Sequence, residues 1–179
     1  MKIAILAVDP QKKKTGGALL GDRIRMNAIY NDDVFLRSIS LASDDDMTGM
    51  ILRAIDTLID RNFQVIFCET AGIGQLDTAI CEVSPLPLYV MTHEYGADTQ
   101  LEKINMLDYA RLVVINKFET KRSEDALAAV RKQYRRNFNL FEGIDDAELP
   151  VFGTAANRFD DEGVNCVYLH LLDRINEHY

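Results

Sequence analysis

Short runs of nearly unbroken apolar residues alternate along this chain with longer stretches in which apolar positions recur every three or four residues. The first run, Lys2 to Val8 (KIAILAV), has the continuous apolar character of a parallel strand covered on both faces. Gln64 to Cys68 (QVIFC), Leu86 to Met91 (LPLYVM), Arg111 to Ile115 (RLVVI) and Pro150 to Gly153 (PVFG) repeat that signature, and Val34 to Ile39 carries a weaker version. Between them, Met47, Met50, Ile51, Ala54, Ile55, Leu58 and Ile59 fall on one helical face, which predicts an amphipathic helix over Asp44 to Arg61. Leu127, Val130, Tyr134 and Phe138 predict a second helix, and Val164, Val167, Tyr168, Leu171, Leu172 and Ile175 a closing one. Strands joined through helices need crossover connections, so the expected fold is α/β, a mostly parallel sheet flanked by helices. No internal repeat interrupts the alternation, and Phe141 to Glu148 reads as an acidic loop.

At 179 residues and 47% apolar content the chain can bury one core, and a single domain over residues 1–179 without an internal boundary is expected. The formal net charge is −8 and no long basic stripe is present; Lys12, Lys13 and Lys14 are too short a run to supply one, so a nucleic-acid partner is not expected. Cys68, Cys81 and Cys166 lie far apart and form no C-x-x-C pair, which suits a reducing cytosol. Met1 leads directly into a strand pattern that stops at Asp9-Pro10, with no signal-peptide pattern and no spanning segment, so a soluble cytoplasmic protein without a membrane partner is expected.

In open parallel sheets ligands bind beyond the carboxyl ends of the strands. Those ends carry Asp9-Pro10, then Glu69-Thr70-Ala71-Gly72-Ile73-Gly74-Gln75, then Asn116-Lys117-Phe118-Glu119. A carboxylate at the end of a buried strand, as Asp9 and Glu69 are placed, can hold Mg²⁺ directly or through its waters while phosphate oxygens complete the shell. Gly72 and Gly74 free the backbone to approach a terminal phosphate and to rearrange when it leaves. Asn-Lys-x-acid has the form of a base-reading loop, the acid accepting from the guanine N–H groups while the Lys stem covers the ring. Each string alone also has an ordinary reading: Asp-Pro as a strand-ending turn, a Gly pair as turn chemistry, Asn-Lys as an unremarkable loop. The order and spacing of all three favour the functional reading.

Thr15 to Met26 (TGGALLGDRIRM) offers a false lead. Gly16 and Gly21 fit the start of G-x-x-x-x-G-K-[ST], but Asp22-Arg23 stands where Lys-Ser/Thr is required, and an acid there would repel phosphates. No other P-loop pattern occurs in the 179 residues. The segment reads better as a loop entering a helix, with Asp22 toward a metal and Arg25, three residues on, toward phosphate; a surface loop with an Asp-Arg pair is the ordinary alternative.

Taken together, Val8-Asp9-Pro10 with TGGALLGDRIRM, then ETAGIGQ, then Tyr89 to Asp108 (YVMTHEYGADTQLEKINMLD), then NKF, then Val151 to Gly163 (VFGTAANRFDDEG) closely resemble the GTPase domain of the fused isobutyryl-CoA mutases. The chain is more distantly similar to the separate G-protein chaperones of methylmalonyl-CoA mutase. The resemblance covers essentially the whole chain and places it in the signal-recognition, nickel-insertion and partitioning class of P-loop NTPases. It implies that the first strand, P-loop and first helix of that fold are missing here, as in an excised middle piece flanked by cobalamin and mutase domains. It implies a Mg²⁺ environment of Val8, Asp9, Asp22, Glu69 and Thr70, and nucleotide contacts from Arg25 and Gly72. Asn116, Lys117, Phe118 and Glu119 would hold the base, with Thr154 and Ala155 as a second base loop. Within Tyr89 to Asp108 it implies a nucleotide-responsive switch that touches the mutase, with His93, Glu94 and Gln100 as signalling residues; a solvated loop and helix start is the alternative. No catalytic residue is assigned.

The implied activity is GTP hydrolysis that gates loading, protection and repair of adenosylcobalamin in a cobalamin-dependent acyl-CoA mutase. The protein's own ligands would be Mg²⁺ and GTP or GDP, with adenosylcobalamin reached only through the mutase. Two departures qualify that expectation. Without a P-loop lysine and its amides, hydrolysis by these 179 residues should be weak or absent. Glu119 stands where the family has Asp, so guanine selectivity over adenine should fall. A non-enzymatic mutase-docking module with a G-like fold is one alternative. A partitioning-type or metallochaperone ATPase is another, opposed by Asn116-Lys117 and by the lack of a Cys/His cluster suited to nickel or zinc. The decisive geometric expectation is that Asp9, Asp22 and Glu69 converge on one point able to hold a divalent cation.

Overall fold

In the computed structural model the described residues are 1–10, 30–41, 47–70, 79–95, 101, 104–140 and 143–178. They divide into two compact units, Met1–Pro85 and Leu86–Tyr179.

The first unit is built on β1 (Ile3–Pro10), which pairs in parallel with β2 (Val34–Leu41) on one side and β3 (Val65–Thr70) on the other. Ala4, Leu6 and Val8 alternate onto one face of β1 and are buried there. Helix α1 (Met47–Asp60) lays Ile51, Ala54, Ile55 and Leu58 across that face, where they meet Ile39, Ile66 and Cys68. Burial raises the Cys68 thiol pKa, so this cysteine packs as a small hydrophobe. The helix stops where Asn62 takes a φ of 61° and the amides of Arg61 and Asn62 turn back to the carbonyls of Leu58 and Ile59. On the other face Ile3 and Ile5 are only partly buried and Phe67 is exposed, so the strand is covered less evenly than its continuous apolar run implied.

The second unit repeats the plan with β4 (Leu88–Thr92), β5 (Leu112–Asn116) and β6 (Val151–Thr154), parallel and in the order β4-β5-β6. Leu112 to Ile115 are all buried, as befits the middle strand of a covered sheet. Helix α3 (Ser123–Asn137) packs Val130 and Tyr134 against Met91, Val113, Ile115 and Val151. A short helix in the first unit, α2 (Ala79–Val83), precedes these elements, and α4 (Glu162–His178) closes the chain. The His170 ring on α4 meets Phe152 of β6 at 5.6 Å between centroids. Burial, and then the Arg174 guanidinium, push the His170 pKa down, so that ring packs in its neutral form. Arg135 ties down the acidic loop, with an ion pair to Asp146 at 2.7 Å and a bond to the Ile144 carbonyl at 2.6 Å.

The expected parallel α/β pattern is present, with shifted boundaries. β1 runs through Asp9 and Pro10 rather than ending before them, because β2 extends alongside as far as Leu41. β2 is therefore a full strand and not a weak one. Helix α1 is described from Met47; the expected start at Asp44 lies outside the described residues. Phe138 caps α3 rather than belonging to it, its ring 4.4 Å from Tyr134. Helix α2 and the 3-10 turns His93–Tyr95 and Asn105–Asp108 are too short to impose a periodicity, which is why the sequence pattern did not contain them. No helix among the described residues is long and apolar enough to cross a membrane.

Leu107 is fully buried in the second core whereas Leu169 on α4 is mostly exposed. Leu107→Ala is expected to cost about 2–5 kcal/mol in urea unfolding, and Leu169→Ala no more than about 0.5 kcal/mol.

Candidate functional site

The residues at the ends of β5 and β6 are knitted together by side chains. Asn116 closes β5, and its Oδ1 accepts a bond from Thr154 Oγ1 at 3.2 Å and another from the Ala156 amide at 3.2 Å. Both lone pairs of the oxygen are then occupied, which assigns the amide orientation and leaves the NH₂ group without a partner among the described residues. The Phe118 amide donates to the Thr154 carbonyl at 2.9 Å, so the two loops are joined by backbone as well. Between Asn116 and Phe118 the chain reverses at Lys117 with a φ of 60°, a left-handed conformation costing a non-glycine residue roughly 1–2 kcal/mol.

That turn is held by hydroxyls. Thr120 Oγ1 donates to the Lys117 carbonyl at 2.8 Å, and Ser123 Oγ, almost fully buried, lies 2.9 Å from Thr120 Oγ1. His93, in the turn after β4, places Nδ1 2.9 Å from the same Thr120 oxygen. The side chains of Lys117 and Glu119 are exposed and engage no other group among the described residues. The rim thus presents an ammonium, a carboxylate and an amide NH₂, a set suited to a planar heterocycle bearing both donors and acceptors.

The second loop is fixed from the helix side. Asp161 Oδ2 accepts from the Ala155 amide at 3.1 Å and from the Val164 amide at 2.9 Å, acting as N-cap of α4 while also gripping the loop. These amides, Ala155 first and Val164 next, hold the carboxyl below the usual carboxylate range. Gly153 lies under the Phe118 ring, which a Cβ there would strike, and a Cβ on Gly163 would collide with the Gly153 carbonyl oxygen. Ring, strand and helix start therefore stack with only backbone between them.

The structure brings together Asn116, Lys117, Phe118, Thr154 and Ala155, with Glu119 at their edge and His93 bonded in through Thr120. Glu94 is exposed in the turn that starts at His93. In the first unit Val8 is buried against Ile51, between β2 and β3. Asp9 pairs with Ser40, Glu69 with Ala7 and Thr70 with Val8; Glu69 is exposed and Thr70 half-buried. Asp22, Arg25, Gly72 and Gln100 lie outside the described residues, as does the Asp9 side chain, and the expected convergence of Asp9, Asp22 and Glu69 lies outside them too. No group of three or more His, Cys, Asp or Glu able to hold a metal ion occurs among the described residues. Thr120, Ser123, Asp161 and the Gly153–Gly163 pair were missed from sequence. Asp161 had a usable signal, an Asp immediately before a helical pattern.

The model of the family described as methylmalonyl Co-A mutase-associated GTPase MeaB matches residues 1–179. The chain is 53% identical over 178 residues to a fused isobutyryl-CoA mutase of Geobacillus kaustophilus (strain HTA426), a match that covers 99% of this chain and 16% of that protein. The chain thus spans about a sixth of the length of this curated relative. Among solved structures, an LAO/AO transport system kinase superposes with a TM-score of 0.62 at 18% identity, covering 96% of this chain and 48% of that one. HypB from Helicobacter pylori in complex with nickel gives a TM-score of 0.61 at 18% identity, covering 99% and 76%. At that identity the likeness concerns the fold alone, which is the α/β P-loop NTPase fold.

Two substitutions probe the site's packing. Ala in place of Gly at a helical position gains about 0.5–1 kcal/mol from backbone entropy, but overpacking costs about 1–3 kcal/mol. Gly163→Ala should therefore be net destabilising in urea unfolding. Because the folded Asp161 pKa lies below its unfolded value, its stabilisation is complete above the ordinary carboxylate pKa of about 3.9 and is lost as pH falls through the lower folded value. Asp161→Ala should thus lower the melting temperature at pH 7, and the gap from the parent protein should close as the pH is lowered below the carboxylate range.

Proposed function

Since the chain belongs to the methylmalonyl-CoA mutase-associated GTPase family, we propose that it is the guanine-nucleotide-binding GTPase domain of a chaperone for a cobalamin-dependent acyl-CoA mutase. The observation that carries this reading is the Asn116 bridge, which fixes the Lys117–Glu119 loop against Thr154–Ala156 while the Asn116 NH₂, the Lys117 ammonium and the Glu119 carboxylate engage no other group among the described residues. Guanine offers a carbonyl and ring nitrogen to an amide and adjacent N–H donors to a carboxylate, so the donors and acceptors present fit it. In this reading Asn116, Lys117, Phe118, Glu119, Thr154 and Ala155 hold the base, Arg25 and Gly72 face the phosphates, and His93, Glu94 and Gln100 face the mutase. Both units act as one GTPase domain in the cytoplasm.

Mg²⁺ would be held by Asp9, Asp22, Glu69, Thr70 and the Val8 backbone. Hard oxygen donors of this kind suit the ion, some directly and others through its waters, with phosphate oxygens completing the shell. When bound, it supplies charge neutralisation across the phosphates. Glu119 keeps the acceptor of the base loop but moves it outward by one methylene, which weakens discrimination against adenine. Nucleotide state would be relayed to the mutase to govern loading and protection of adenosylcobalamin, a cofactor this chain meets only through its partner.

Phosphoryl transfer rests on positioning and electrostatic stabilisation, and the 179 residues hold no G-x-x-x-x-G-K-[ST]. The 179-residue chain is expected to turn over GTP at least about a hundredfold more slowly than the same chain joined to a P-loop segment, given what a single lost donor costs. Isothermal titration with GDP and ADP in Mg²⁺ should show guanine preference in the joined protein, increased several-fold by Glu119→Asp. If the joined protein binds no GDP yet still captures the mutase, the chain is a docking module with a G-like fold and the GTPase reading fails.

A further inference from the structure

His93 and Thr120 belong to different elements, one following β4 and the other following β5, yet Nδ1 and Oγ1 lie 2.9 Å apart. The same hydroxyl oxygen is 2.8 Å from the Lys117 carbonyl and 2.9 Å from Ser123 Oγ. A threonine hydroxyl has one proton to give, and a carbonyl oxygen can only accept. That carbonyl also accepts from the Thr120 amide at 3.1 Å, and Ser123 Oγ reaches it at only 3.4 Å, so the shortest bond it receives is from the Thr120 hydroxyl. With its one proton on that 2.8 Å bond, the Thr120 hydroxyl accepts from His93, the arrangement in which Nδ1 carries a proton. In the neutral ring Nε2 is left as an acceptor.

We infer that His93 and Thr120 are positioning residues for the base loop. The His93 Nδ1–H orients the Thr120 hydroxyl, and the Thr120 proton locks the Lys117 carbonyl at the left-handed turn. The lock sets the direction in which Lys117 and Glu119 leave the loop. Neither residue needs to touch the nucleotide; both act through the backbone of Lys117. Part of the guanine specificity is thereby written in the turn after β4, the strand beside the one whose loop reads the base. The inference rests on the guanine reading of Asn116–Glu119.

The test combines a spectroscopic and a binding measurement on the 179-residue chain and on its P-loop-joined form. Ring ¹⁵N shifts of His93 should report the Nδ1–H tautomer in the parent protein and lose that signature in Thr120→Val. GDP affinity should fall about three- to tenfold in Thr120→Val and in His93→Ala, the range expected for one lost hydrogen bond, with ADP affinity little changed. Thr120→Ser, which keeps the hydroxyl, and His93→Gln, which offers an amide N–H, should each recover most of the lost preference; a general folding defect would not be rescued this way. An Nε2–H tautomer, or a GDP to ADP ratio that Thr120→Val leaves untouched while the parent prefers GDP, overturns the inference alone. A parent protein with no preference for GDP overturns the guanine reading and this inference with it.

Discussion

The Asn116 side chain binds two strand ends through a single oxygen, and the arrangement of the second unit's rim follows from that constraint. β5 is buried along its length until Asn116, so the carboxamide emerges at the point where the strand leaves the core. There its Oδ1 accepts from both Thr154 and Ala156 of the adjacent strand end. Each bond contributes only about 0.5–1.5 kcal/mol net. Their importance is directional: with both lone pairs occupied, the amide has one orientation, and the following residues start from a fixed point.

Everything downstream is held by similarly short-range devices. A left-handed Lys117 reverses the chain, the hydroxyl and amide of Thr120 secure its carbonyl, and Phe118 turns its amide onto β6 and its ring onto Gly153. Helices α3 and α4 lie against β5 and β6 and bring their own polar starts to the rim: Ser123 at the first and Asp161 at the second. Packing of apolar faces decides where the strands lie. Unpaired polar groups at the strand ends then decide which loop conformation satisfies them, and the site is the result.

The sheet was legible because its signal is local. Runs such as Arg111 to Ile115 announce a buried parallel strand whatever surrounds them, and the observed strand differs only in starting at Leu112 and ending at Asn116. Strand ends were less legible, since they depend on how far a neighbour extends; β1 continues through Asp9 because β2 accompanies it. In the rim, Asn116 to Glu119 and Thr154-Ala155 could be found by their order along the chain. Thr120 could not, because its meaning lies in His93, far away in sequence, and in the proton count of one hydroxyl. Nor could Gly153 and Gly163, which read as ordinary glycines until β6 and α4 are placed against each other.

The stack of Phe118, Gly153 and Gly163 has a further consequence. Side-chain layers in a protein core can absorb a small displacement by changing rotamer, but peptide planes in contact have no such slack. A sideways shift of the first turn of α4 would therefore be transmitted almost undamped through the β6 backbone to the aromatic ring above it. The last helix of the chain and the loop after β5, joined by no residue in sequence, form one mechanical part.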